Sequence, residues 1–114
     1  MVKQYEIWMA NLNPPSGTEA GKIRPVVIVQ SDLLNCNNHP STMICPITSQ
    51  VQPASHILRV HLLPNDINGL EKKSDIMVDQ IRTVDNQRLI KKLGVLDKAA
   101  ATAIRENLSK VMDL

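Results

Sequence analysis

Gly17-Thr18-Glu19-Ala20-Gly21-Lys22-Ile23-Arg24-Pro25 runs directly into Val26-Val27-Ile28-Val29. The first part is a polar loop punctuated by glycine, with one carboxylate and two cations. The second is a β-branched run, apolar at every position. Such a run predicts a strand buried on both faces and hence central in its sheet, here Pro25 to Gln30. Arg24 stands at the junction. Pro25 fixes the backbone just after it, so a rigid element aims a guanidinium outward.

The neighbouring segments read as further short strands. Glu6 to Leu12 is a strand that ends at Asn13-Pro14-Pro15-Ser16-Gly17, because prolines and glycine stop sheet pairing. Ser31 is placed to cap a short helical turn. Thr42 to Thr48 is a strand, and Pro46 inside it predicts an edge or a bulge. His56 to Leu63 alternates and is read as a strand. Ser74 to Val84 is read as one strand and Arg88 to Val95 as a last one, broken by Gly94. Asp97 caps a terminal helix, with Leu96, Ala100, Ile104, Leu108 and Val111/Met112 as its buried stripe. The expected fold is mainly β: a small, strongly bent antiparallel barrel closed by a C-terminal helix.

At 114 residues the chain is expected to form one domain, 1–114, with a single core. Phe is absent and Trp and Tyr occur once each, so aliphatic side chains must fill that core. The same scarcity argues against nucleic-acid binding on a platform of stacked aromatics. A net charge of +2 permits a polyanionic partner without demanding one. No signal peptide or membrane span is read from the chain, and Cys36 and Cys45 are expected to be reduced thiols of a cytosolic protein.

Several chemistries are excluded by spacing. Cys36, His39, His56 and His61 do not form a paired zinc motif, so no metal is expected. No nucleophile elbow and no phosphate-binding glycine loop is present. Arg24 is the sharpest remaining candidate, since a guanidinium fork matches a phosphate. A surface pair with Glu19 is its simpler structural reading. Glu19 is either a solvated loop acid or a proton acceptor beside a cation. Thr48 and Ser49 are strand-end hydroxyls able to donate to a phosphate oxygen. Asp79 and Gln80 are read as mid-strand neighbours, one of them facing inward, with structural bracing and substrate contact both open and bracing favoured for Asp79. Arg82 and Asp85 are read as a pair across a turn.

Four ordered blocks carry a resemblance. They are Glu6-Ile7-Trp8 with Asn11-Leu12-Asn13-Pro14, the Gly17–Pro25 loop, Pro46-Ile47-Thr48-Ser49, and Asp79-Gln80-Ile81-Arg82-Thr83-Val84-Asp85. In this order and spacing the chain resembles the MazF/PemK family of toxin endoribonucleases over nearly its whole length. The resemblance implies an SH3-like barrel of CcdB-like fold, a homodimer and a cognate antitoxin whose disordered acidic tail folds on the toxin. It implies metal-independent, sequence-specific cleavage of single-stranded mRNA to 2′,3′-cyclic phosphate and 5′-hydroxyl ends, with no cofactor. It assigns Arg24, Glu19 and Thr48 to catalysis. Thr18, Lys22, Ser49, Gln50 and Gln80 are the expected RNA contacts, and Asp79 either braces the structure or touches substrate. Lys72-Lys73 and Lys91-Lys92 are read first as solvated faces and second as backbone-steering charges.

The chain departs from some members at Thr18, where they carry histidine, and at Met77, where they carry arginine. Two rival readings follow. One is a gyrase-poisoning toxin of the same fold, which depends on a tryptophan-bearing C-terminus; here the only tryptophan is Trp8. The other is a degenerate member that only binds antitoxin.

Overall fold

The computed structural model describes residues 1–14 and 16–114; Pro15, one of the residues expected to end the first strand, lies outside the described residues. Seven antiparallel strands form one sheet. They are β1 (Glu6–Asn11), β2 (Ile23–Ile28), β3 (Ser41–Thr48), β4 (Arg59–Leu62), β5 (Ser74–Met77), β6 (Arg82–Asp85) and β7 (Leu89–Val95). A short helix, α1 (Asp32–Asn35), precedes β3, and α2 (Lys98–Met112) ends the chain. The strand order is β4-β5-β3-β2-β1-β7, with β6 also on β3.

β2 is central, as its β-branched run predicts. Val27 enters a core with Ile7, Cys45, Ile47, Ile76, Val78 and Ile104, while Val26 and Ile28 enter a second with Ala10, Leu12, Ile44 and Val84. α2 covers the first of these. The Asp97 carboxylate accepts from the Ala100 amide at 2.8 Å and caps the helix. Ile104 is fully buried, and Ala100, Leu108 and Val111 pack around the same core. Met112 is exposed and does not belong to the stripe.

β3 is the strand where the sheet forks, and Pro46 lies at the local break in its ladder between two partner strands. Its first half, Ser41 to Ile44, pairs with β6, and its end, Ile47 and Thr48, pairs with β5. The Met43 carbonyl accepts from Val29 across the β2–β3 junction. Alternation along the strand then turns Pro46 toward the opposite edge, into the gap between its two partners. A residue with no N–H sits where no ladder bond is made.

The segment Ser74 to Val84 is therefore not one strand. The register passes from Ile47↔Ile76 to Ile44↔Arg82, so β3 advances three residues while its partner advances six. The surplus forms a 3-10 turn at Val78–Gln80. Val78 is buried beneath α2, and its amide donates to the Leu58 carbonyl at 2.9 Å. Asp79 and Gln80 thus lie in a turn, not mid-strand.

Two further expectations are revised. Only Arg59 to Leu62 of the segment His56–Leu63 pairs as a strand; at its two ends the His56 carbonyl accepts from Asn107 of α2 at 3.0 Å and the Leu63 carbonyl from Asn68 at 2.9 Å. β7 continues through Gly94, opposite Ile7, and what is broken there is the register, which shifts at Leu93 beside it.

The two ends of the strand path, β4 and β7, are joined by the connection that follows β4. The Val95 amide donates to the Ile67 carbonyl at 2.9 Å. A Cβ on Gly94 would lie 2.3 Å from the Ile67 oxygen, and one on Gly69 would lie 2.1 Å from the Leu93 oxygen. Backbone meets backbone there, which only glycine allows. This seam bends the sheet toward a barrel. Gly94→Ala is expected to lower stability by about 1–3 kcal/mol, since the clash is with main chain. A urea midpoint unchanged from wild type would show that the seam yields freely.

Candidate functional site

One cleft collects most of the residues singled out from the sequence. It has a volume of about 740 Å³, and its walls come from the loop after β1, the end of β3 and the turn before β5. Lys22, Arg24, Arg59, Lys72 and Lys91 line it against a single carboxylate, Glu71. Such a concave, cation-rich surface fits a polyanion.

The loop that carries Thr18 to Lys22 is held at both ends. Near its base the Lys22 amide donates to Asn13 Oδ1 at 2.8 Å, and the Lys22 carbonyl accepts from Leu12 at 2.8 Å. At its tip the Gln80 side chain closes a two-point clamp. Gln80 Nε2 donates to the Thr18 carbonyl at 3.0 Å, and Gln80 Oε1 accepts from the Ala20 amide at 3.1 Å. Gln80 lines the cleft, but both ends of its amide are engaged with backbone. Bracing at this turn thus falls to Gln80, while Asp79 is exposed and is not among the cleft residues.

Arg24 is the second residue of β2, opposite Ala10 of β1. Its Nε donates to the Gly21 carbonyl at 2.8 Å. The two terminal nitrogens have no hydrogen-bond partner among the described residues. A guanidinium fixed through Nε presents its outer fork to a ligand. Thr48 ends β3. Its Oγ1 accepts from the Gln50 amide at 3.1 Å, so the lone pair is used inward and the hydroxyl proton remains to be donated. Thr18, Lys22, Ser49 and Gln50 line the same cleft.

Glu19 is not brought to the cleft wall, although Thr18 and Ala20 beside it are. Its carboxylate is about half exposed and faces Arg82, not Arg24. Arg82 Nη1 lies 3.4 Å from Glu19 Oε2, a charge contact that lacks hydrogen-bond alignment. The Arg82–Asp85 pair expected from the sequence is not made; Asp85 instead accepts from the Gln87 amide at 2.8 Å and caps a turn.

Sequence reading missed Arg59 and Asp75. Asp75 is fully buried in β5, yet it is held by hydrogen-bonding partners, one of them a guanidinium. Its Oδ2 accepts from Arg59 Nη1 at 3.1 Å and from the Gln52 amide at 2.8 Å, and its Oδ1 lies 2.7 Å from His61 Nδ1. Burial pushes the Asp75 carboxyl upward, but the Gln52 amide, His61 and Arg59 together outweigh it and hold the group below its ordinary value. Register could have signalled this only with the pairing known, since His61 faces Asp75 across β4–β5. Among the described residues no three His, Cys, Asp or Glu side chains converge as a metal site. Burial, with the Asp79 charge added, pushes the Cys45 thiol up to about 12, leaving an inert core residue.

With this geometry in place, relatives can be compared. A family model described as PemK-like, MazF-like toxin of type II toxin-antitoxin system matches residues 3–112. The chain belongs to this family. Endoribonuclease EndoA of Bacillus subtilis (strain 168) is 35% identical over 108 residues, covering 95% of this chain and 91% of that protein. MazF of Deinococcus radiodurans has the same fold, with a TM-score of 0.81 at 20% identity, covering 99% of this chain and 97% of that one. A mycobacterial endoribonuclease solved with its cognate antitoxin gives a TM-score of 0.81 at 18% identity, covering all of this chain and 97% of that one. The MazF/PemK sheet and helix expected from the four sequence blocks are thus present.

The depressed Asp75 carboxyl makes a pH prediction for this MazF/PemK chain. A group whose folded pKa lies below its unfolded value, about 3.9 for aspartate, stabilises the fold above that value and ceases to do so as pH falls through the folded pKa. The stability gap between wild type and Asp75→Asn should be widest near neutral pH and close below about pH 4. Urea titrations at pH 7 and at acid pH measure it. A gap that stays constant into acid would show that the carboxylate charge does not matter.

Proposed function

We propose that this toxin is a metal-independent endoribonuclease that cuts single-stranded mRNA within the cleft. The observation that carries the reading is Arg24. Its Nε is fixed on Gly21 while its outer fork is open, in a cleft where five cations face one carboxylate. Thr48 stands in the same cleft with a hydroxyl proton to donate. The name of the Bacillus relative supports the same activity.

In the proposed reaction the ribose 2′-hydroxyl loses its proton and attacks the adjacent phosphorus. The bond from phosphorus to the 5′ oxygen breaks, that oxygen takes a proton, and a 2′,3′-cyclic phosphate remains. Charge builds on the non-bridging oxygens, where preorganised donors act most strongly. Arg24 supplies its fork to these oxygens and hydrogen-bonds the leaving 5′ oxygen, which takes its proton from water; Thr48 orients the phosphate. Arginine does not serve as base because its pKa exceeds about 12. Glu19 is assigned that role. With Thr18 and Ala20 clamped by Gln80, the Glu19 side chain reaches the cleft by leaving Arg82. Thr18, Lys22, Ser49 and Gln50 contact the RNA, Asp79 stays outside it, and Gln80 acts by holding the loop.

The toxin is proposed to act in the cytoplasm as a homodimer and to be restrained by a cognate antitoxin, as in the mycobacterial complex. No helix of the described residues is long and apolar enough to cross a membrane.

Arg24→Ala should lower kcat on unstructured RNA by about 100-fold or more, with a smaller change in KM. Equal cutting by wild type and Arg24→Ala would take the chemistry away from Arg24, and no cutting by wild type would favour a member that only binds its antitoxin. Glu19→Gln should lower kcat on unstructured RNA by about 100-fold. An unaltered kcat would take the base role away from Glu19.

A further inference from the structure

The Asp75 cluster lies outside the proposed chemistry, yet it is tied to the cleft by several bonds. Asp75 sits between β3 and β4 on β5, opposite Thr48 on one side and His61 on the other. Its buried carboxylate holds the Gln52 amide and the Arg59 guanidinium. Arg59 Nη1 also donates to the Gln50 carbonyl at 3.1 Å. The Gln50 amide in turn binds Thr48 Oγ1. The segment Thr48–Gln52 is thereby fixed at its start, middle and end.

That segment forms one wall of the cleft. Ser49, Gln50, Val51 and Gln52 are exposed residues with no regular secondary structure. Left to themselves they would sample many arrangements. Recognition of an unstacked base requires donors and acceptors held at fixed positions. A buried ion pair is weak as a source of stability, since apolar residues of similar volume do as well. A carboxylate buried here with three donors, two of which lead to one loop, instead fixes geometry.

We propose that Asp75 and Arg59 are positioning residues that set which bases the enzyme accepts, by holding the Thr48–Gln52 wall of the cleft. The proposal rests on the endoribonuclease reading above. Arg59 also lines the cleft. The partner is the base-bearing portion of single-stranded RNA next to the scissile phosphate.

The test is internal competition within one long unstructured RNA. The ratio of kcat/KM at the best site to that at the next-best site is measured for wild type, Asp75→Asn and Arg59→Lys. All three are assayed at a temperature where circular dichroism shows them folded. Uniform loosening of the protein lowers both rates together and leaves the ratio unchanged. The proposal expects the ratio to shrink by about tenfold in Asp75→Asn, with new cut sites appearing, because a site that loses fixed polar partners discriminates less. Arg59→Lys keeps the positive charge, but its ammonium ends one atom short of the Nη1 that binds both Asp75 and Gln50, and it should give an intermediate ratio. Should Asp75→Asn not fold, Arg59→Lys alone decides. Wild-type cutting with ratios unchanged in the folded variants overturns this inference only. No cutting by wild type overturns the endoribonuclease reading and this inference with it.

Discussion

The fork at Pro46 is the constraint on which the rest depends. A proline turned toward a sheet edge cannot donate there, so one partner strand must end and another begin. β6 and β5 take the two halves of that edge, and the chain crosses between them through the Val78–Gln80 turn. That crossing has two consequences. It buries Val78 under α2, which seats the helix. It also carries Gln80 to the loop after β1, where its amide clamps Thr18 and Ala20. Beyond the fork Thr48 pairs with Asp75, so the strand end that lines the cleft is attached to the buried carboxylate. The architecture and the cleft share one origin.

Electrostatics in this molecule are uneven. A net charge of +2 is modest, but the cleft concentrates cations that the global balance hides. Two carboxylates just outside the cleft lining, Asp75 and Glu19, have different fates. Asp75 is removed from water and held by donors, so it orders the wall without meeting solvent. Glu19 remains in solvent contact on a clamped loop, paired loosely with Arg82. One acid is placed to hold a shape and the other is free to move, which suits a positioning role and a proton-transfer role respectively.

Local pattern made part of this legible. The run Val26 to Val29 predicted a central strand, and the junction placed Arg24 at its mouth. Asp97 and the stripe through Ile104 predicted α2 because capping and periodicity are short-range signals. What escaped depended on distant partners. Ser74 to Val84 alternates well enough to read as one strand, and only pairing with β3 exposes the three-residue surplus. The Gln80 clamp joins residues about 60 positions apart, and Asp75 draws its partners from other segments. Burial of an aspartate cannot be read from Ser-Asp-Ile-Met alone. The four blocks brought candidate residues into view, and tertiary pairing decided which of them line the cleft.

The central claim is that this cleft performs transphosphorylation on RNA without a metal. The direct test is to incubate the purified toxin, free of antitoxin, with a long unstructured RNA in EDTA and to identify the chemical ends. Discrete cuts bearing 2′,3′-cyclic phosphate and 5′-hydroxyl groups are predicted. Ends bearing 5′-phosphate, or intact RNA under conditions where a related active enzyme cuts, would contradict the account.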